Sequence, residues 1–408
     1  MKKLILFFVL FCISQSIVLS QPCLQEGITF STQSQIDSFQ IIYPNCTEIE
    51  GYVIIYGNDI TNLNGLNVLT SIGGNFRIGN DNYPYNGNPL LLSLAGLDNL
   101  ASIGGNLNIN GNPLLTSLAG LENLTDIEGD LSIGSPSRGW ENDNLSLASL
   151  SGLDNVTTIG GNLVFLRNRL LTSLIGLGNL TAIEGSLIIG GSHGGGTGYK
   201  RSTCLTCFTG LDNLSSIGGN IEIIENDSLI SFSGLNNLTS IGGSLMIGAF
   251  YPPAGGNESL TSLSGLDNID AGSITELIIC DNNSLSTCEV QSVCDYLASP
   301  TGTIFIADNA SGCNSMTEVE EACWVGISNL NFESEFSIYP NPATDKLIIT
   351  SNSGLKIETV NIYNQLGQKV IEGELLNNTI NVSKLRRGIY IIELTSNELK
   401  IRMKLMIR

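Results

Sequence analysis

The side chains able to do chemistry are few and scattered. A chain of 408 residues has one histidine, His193, which removes most imidazole catalysis and most zinc sites. Cys204-Leu-Thr-Cys207 has the spacing of a redox or metal pair. It has no partner pair and no adjacent histidine, so a structural disulfide or two buried thiols is the plainer reading. Sugar cleavage needs carboxylates, alone or with a basic group and Ca²⁺, converging in a cleft. Before the C-terminal segment the basic residues are Arg77, Arg138, Arg167, Arg169, Lys200 and Arg201. Only Arg167-Asn-Arg169 lies beside a strand pattern, and no acidic pair keeps register with it. Asp81, Asp143, Glu225 and Asp227 read as solvated turn residues, good for weak Ca²⁺ binding at most. No nucleophile elbow, phosphate loop or metal motif is present. These residues predict a protein without catalysis, cofactor or metal site.

What remains is aromatic. Tyr83, Tyr85, Trp140, Tyr199, Phe250 and Tyr251 fall in four Gly- and Asn-rich additions, 79–88, 134–143, 190–203 and 248–257. The additions occupy one place in a repeat of form L-T-S-L-x-G-L-x-N-L-T-S-I-G-G-x-L-x-I. Its final glycine recurs at Gly51, Gly74, Gly105, Gly129, Gly161, Gly185, Gly219 and Gly243, about every 24 residues with extra length in alternate copies. A unit with one short L-x-I strand cannot bury its own apolar face. Stacked units can, through shared Leu and Ile columns. The recurring glycine suits a positive-φ corner or a close approach of coils. Asn99, Asn123, Asn155, Asn179, Asn213, Asn237 and Asn268 form a second column, expected to bond the backbone of neighbouring coils from a buried position. Burial there excludes glycans from the N-x-[S/T] sequons that the consensus creates.

The additions must then leave one edge of the solenoid. With strands about 4.8 Å apart, loops on alternate coils stand about 10 Å apart. This ridge of aromatic loops is a candidate contact surface for an extended glycan or protein ligand. The alternative is tolerated insertions whose rings pack on the solenoid.

Both ends of the repeat carry helix starts and cysteines. Thr32-Gln-Ser-Gln35 precedes Ile36, Phe39 and Ile42. Ser286-Thr-Cys-Glu289 and Ser315-Met-Thr-Glu318 also fit capping boxes. Cys23 and Cys46 flank the first cap, and Cys288, Cys294, Cys313 and Cys323 lie around the last. All six are disulfide candidates with pairing left open; Cys204, Cys207 and Cys280 remain. Disulfides suit the leader: Lys2-Lys3, then an apolar run from Leu4 to Leu19, read as a secretory signal cleaved before Gln21. No second long apolar run follows, so the mature chain is expected to have no integral membrane segment.

Charge divides the chain. The formal net charge is −20, which argues against nucleic acid as a partner. Residues 22–336 hold 6 basic and 32 acidic side chains, whereas 337–408 hold ten basic and six acidic. The expected layout is a signal peptide at 1–20 and an N-terminal cap at 21–46. Then come solenoid repeats at 47–280, a helical cap at 281–324, a linker at 325–335 and a C-terminal domain at 336–408. About seven short alternating runs in that domain suggest a small Ig-like β-sandwich.

The C-terminal domain resembles the sorting domain of type IX secretion cargo (the Por secretion tail). The resemblance is carried by Tyr339-Pro340-Asn341-Pro342 with Asp345, by Ile362-Tyr363-Asn-Gln-Leu-Gly367 and by Leu385-Arg-Arg-Gly388-Ile-Tyr390. It implies a Gram-negative cell, with passage through the inner membrane by the signal peptide and through the outer membrane by the type IX machinery. It also implies loss of the tail by cleavage within 326–335. The body resembles receptor L-domain and leucine-rich-repeat-like solenoids. Gly-Leu-Asp-Asn-Leu (210–214), Thr-Ser-Ile-Gly-Gly (239–243) and Ser286-Thr-Cys-Glu-Val-Gln-Ser-Val-Cys294 carry this likeness. It implies a mainly β, right-handed parallel solenoid that binds rather than catalyses. The expected protein is a secreted or surface-displayed binding or adhesion module, with unknown ligand. A polysaccharide-active solenoid enzyme and a self-associating surface protein are the alternatives.

Overall fold

In the computed structural model, the described residues are 21–80, 87–134, 144–190, 204–249, 255–325, 336–351, 357–364, 367–373, 378–396 and 399–408. The body is a parallel β-solenoid with two sheets rather than the single strand per unit that the repeat suggested. One sheet has nine very short strands, such as Ser102–Ile103, Asp126–Ile127 and Thr158–Ile159. The other has eleven strands built on L-x-I, including Leu107–Ile109, Leu131–Ile133 and Leu163–Phe165. Strands pair parallel and in register with those of the next coil, so Leu107, Leu131 and Leu163 stand in one column. The two-residue strands were missed because T-S-I is too short to show a period of two.

The coil closes by three devices. Gly74, Gly105, Gly129, Gly161 and Gly185 form the corner between the sheets. They need no positive φ. A Cβ at Gly129, Gly161 or Gly185 would come within 2.6–2.8 Å of a glycine carbonyl carbon in the preceding coil, so close approach selects glycine here. Positive φ falls instead on the L-x-G-L column, for example Gly96 at +104° and Gly120 at +112°. The amides of Gly96, Gly120, Gly152, Gly210 and Gly265 donate to the carboxylates of Asp98, Glu122, Asp154, Asp212 and Asp267 two residues on. Part of the body's negative charge is therefore turn chemistry.

The inside is a single cluster. Leu91, Leu94, Leu97, Leu100, Ile103, Leu107 and Ile109 of one coil are fully buried, and each has a counterpart in the coils that follow. Phe208 and Phe232 substitute for leucine in one column and stack at 5.2 Å.

Helices α1 (Gln33–Asp37) and α2 (Phe39–Ile42) cover the first coil. Thr32 and Gln35 form the expected capping box. Helices α3 (Gln291–Ala298) and α4 (Met316–Val325) close the other end. Ser315 caps α4 through the Glu318 amide. The Ser286–Glu289 box does not start α3, whose N-cap is Val290 without a side-chain bond; Thr287 instead bridges to Ser262 of the preceding coil. Disulfides join Cys23 to Cys46, Cys288 to Cys313 and Cys294 to Cys323.

Residues 336–408 form a separate antiparallel pair of sheets around their own core, which includes Leu347, Ile349, Val360, Ile362, Ile392 and Leu405. Three strands, Phe336–Tyr339, Lys346–Ser351 and Thr379–Asn381, make one sheet. Thr359–Tyr363, Lys369–Gly373, Gly388–Ser396 and Leu399–Ile407 make the other. No helix among the described residues is long and apolar enough to cross a membrane.

Candidate functional site

The four additions leave the solenoid at the corner after the eleven-stranded sheet. In short coils this corner is two residues long and ends in a left-handed residue before an asparagine. Gly111-Asn112, Arg167-Asn168, Glu225-Asn226, Asp281-Asn282 and Asp308-Asn309 all follow this form. In long coils the strand instead runs into Gly79, Gly134, Gly190 or Gly248, each at positive φ. The chain re-enters the regular path at Asn88, Asn144 or Asn257. Tyr83, Tyr85, Trp140, Tyr199, Phe250 and Tyr251 lie outside the described residues, as do Asp81, Arg138, Asp143, His193, Lys200 and Arg201.

The corner is held by a buried asparagine ladder, distinct from the expected one. Asn88, Asn112, Asn144, Asn168, Asn226, Asn257 and Asn282 are buried. Each Nδ2 donates to a carbonyl of the coil before: Asn88 to Ile55, Asn112 to Ile78, Asn144 to Ile109, and so to Asn309 on Ile279. Neighbouring members also bond each other, Asn88 to Asn112 at 2.9 Å and Asn257 to Asn282 at 2.9 Å. The equivalent position in the coil with the longest addition is Ser202, outside the described residues. The L-x-N-L asparagines are exposed, which corrects their assignment to a buried ladder. Their Nδ2 groups still bind the preceding coil, as Asn123 does on Asp98 and Asn155 on Glu122, both at 2.6 Å. The sequons are therefore disfavoured by an engaged amide, not by burial.

Beside the ladder runs a feature absent from the sequence reading. Leu90, Leu114, Leu145 and Leu170 follow ladder asparagines by one or two residues and are 41–52% exposed. Four successive coils thus present leucine on the flank next to the additions. The signal was available: in Asn-Pro-Leu-Leu only the second leucine is in core register. Outward positions of the eleven-stranded sheet are mixed, with Arg77, Asn108, Ser132, Val164, Ile188 and Glu222 half-buried in sequence order. Arg77 thus lies within strand Phe76–Ile78, which corrects the expectation that only Arg167 and Arg169 sit by a strand.

Among the described residues, reactive groups do not assemble: no three His, Cys, Asp or Glu side chains converge to hold a metal. Arg167 is buried at the corner and Glu225 occupies the same corner two coils later. Cys204 and Cys207 are half-exposed and not disulfide-bonded. The Cys207 Sγ lies 3.1 Å from Thr209 Oγ1. Burial acts to raise its pKa, but hydrogen bonds from Thr209 and Thr206 prevail and lower it. Cys280 is buried at the end of strand Leu277–Cys280, and burial with the Asp281 and Asp308 carboxylates pushes its thiol up to about 12.

The residues marking the C-terminal motif have defined work. Asn341 Nδ2 donates to the Lys404 carbonyl at 3.0 Å, and Met406 N–H donates to Asn341 Oδ1 at 2.9 Å. The side chain thus extends the last strand's ladder; the peptide bonds before Pro340 and Pro342 are both cis. Asp345 accepts Val382 N–H through its carbonyl. Gly367, at φ +72°, closes the turn on Asn364, and Gly388 also has positive φ. Tyr390 donates its hydroxyl to the Arg386 carbonyl at 2.8 Å.

Residues 337–408 match the family described as the secretion system C-terminal sorting domain. The chain is also similar to an endo-acting ulvan lyase of Formosa agariphila, with 29% identity over 115 residues. That stretch covers 25% of this chain and 22% of the relative, so the chain spans about a fifth of the relative's length. The sorting domain marks the chain for export by type IX secretion, to the cell surface or beyond.

Proposed function

We propose that the exported solenoid is a non-catalytic binding or adhesion protein of the receptor L-domain type, presenting its loop ridge to an extended glycan or protein ligand. The observation that carries this reading is the shared origin of the additions. Four leave one corner on alternate coils; three of them return at a ladder asparagine, and the exposed leucine column runs beside the first two. A rigid scaffold with loops at fixed intervals suits a repeating or elongated partner. Trp140, Tyr199 and the other loop aromatics supply stacking surface. The test is a glycan and host-protein binding array probed with the chain and with a Trp140→Ala/Tyr199→Ala variant. Loss of a specific signal in the folded variant supports the reading; an unchanged signal overturns the role of the ridge.

A second reading, a polysaccharide-active enzyme, is favoured by the partial similarity to the ulvan lyase. Depolymerisation of ulvan by the chain, lost on changing Arg167 or Glu225, would decide for it.

A further inference from the structure

We infer that the C-terminal cap of the solenoid is a dock for the chain's own sorting domain, with Lys404 as its latch. This goes beyond the ligand-binding reading and does not depend on it. Lys404 lies on the last strand of the sorting domain, outside that domain's core, while its neighbours Leu405 and Ile407 point inward. Its Nζ donates to the carbonyl oxygen of Cys323 in α4 at 2.7 Å. That carbonyl belongs to the last turn of the helix, where main-chain oxygens lack intrahelical partners and attract cations. Around the bond, Leu297 and Ala298 of α3, with Cys294 and Cys323, meet Ile389 and Met406 of the sorting domain across one shallow cleft. Ile389 and Met406 are directly paired across adjacent strands. A cation and two apolar side chains therefore face the cap as one patch.

Charge points the same way. Residues 281–324 contain seven carboxylates and no lysine or arginine, whereas residues 337–408 have an excess of four positive charges. Asp295 of α3 and Glu320 of α4 lie on the docking side, and Asp295 acts electrostatically on Lys404. Burial lowers the Lys404 pKa while Asp295 opposes the fall, as expected for an ammonium partly withdrawn from water beside a carboxylate. Complementary charge favours this pairing over association of two acidic bodies.

Zero-length carbodiimide cross-linking of the intact chain tests the dock, using a mixture of isotopically light and heavy protein. The exposed pair Lys369–Glu372, 3.0 Å apart, is the internal control, because it links within the sorting domain whether or not docking occurs. The expected result is a second link joining Lys404 to Asp295 or Glu320, within single chains. Appearance of the control link without any Lys404–cap link overturns the proposal. So does a Lys404–cap link found chiefly between light and heavy chains, which would make the dock a contact between molecules.

Discussion

Asn257 and Asn282, one coil apart, share a single oxygen. Oδ1 of Asn282 accepts both the main-chain N–H of Asn257 at 3.0 Å and its Nδ2 at 2.9 Å. Asn282 in turn donates to the carbonyls of Ile247 and Cys280. Asn282→Ala would leave several buried groups unpaired at once, so a loss of at least about 2 kcal/mol is expected. Asn268→Ala, in the exposed column, should cost less than about 1 kcal/mol because water replaces its single bond. Urea unfolding of the two variants makes the comparison.

Gly178 breaks a pattern that can be restored. It occupies the place of Asp98, Glu122, Asp154, Asp212 and Asp267, whose carboxylates accept the amide of the glycine two residues earlier. Nothing lies within 4 Å of a Cβ built at Gly178. Gly178→Asp should therefore cap the Gly176 amide and raise stability by about 0.5–1.5 kcal/mol. A melting temperature at or below that of the parent would show that this capping contributes nothing.

The opposite effect is expected two coils earlier. Gly120 has φ +112°, and a Cβ there would overlap the carbonyl of Leu94. Gly120→Ala combines backbone strain with a clash against backbone, at a cost of about 2 kcal/mol or more. Differential scanning calorimetry would register it as a lower melting temperature.

The raised pKa of Cys280 sets an alkaline limit. Below the reference value of 9.0 both folded and unfolded thiols hold their proton. Between that value and about 12 the unfolded thiol ionises first, so the stability from this group falls as pH rises. The loss in urea midpoint from about pH 8 to about pH 10.5 should be smaller in Cys280→Ala than in the parent. Equal losses in both would remove Cys280 from the alkaline transition.

Removal of residues 336–408 should leave the solenoid folded, because its core contains no residue of that segment. Expressed in a type IX-competent cell, the truncated chain should remain in the periplasm. Its detection on intact cells by antibody would overturn the role given to the tail.

The sequence showed the columns but not their depth. Leucine spacing located the core because an apolar residue at a fixed place in every copy has only one environment that suits it. Asparagine is ambiguous in the same test. Asn123 and Asn112 both belong to recurring columns, yet one is exposed and the other fully buried. Only the backbone path says which carbonyls each faces. Glycine was ambiguous too, since close approach at Gly129 and positive φ at Gly120 leave the same mark. The exposed leucines escaped notice for the converse reason: leucine beside a leucine column reads as core. In the C-terminal domain the strands were legible from alternation, whereas the strand-like role of Asn341 depends on a residue 65 positions away.

Among the described residues, the ladders couple each coil only to its neighbours. A short unit such as 88–111 could be deleted or duplicated as a cassette; on deletion, Asn112 would face Ile55 as Asn88 does now. Length is thus set coil by coil, and a change in coil number would leave both caps and the export signal as they are.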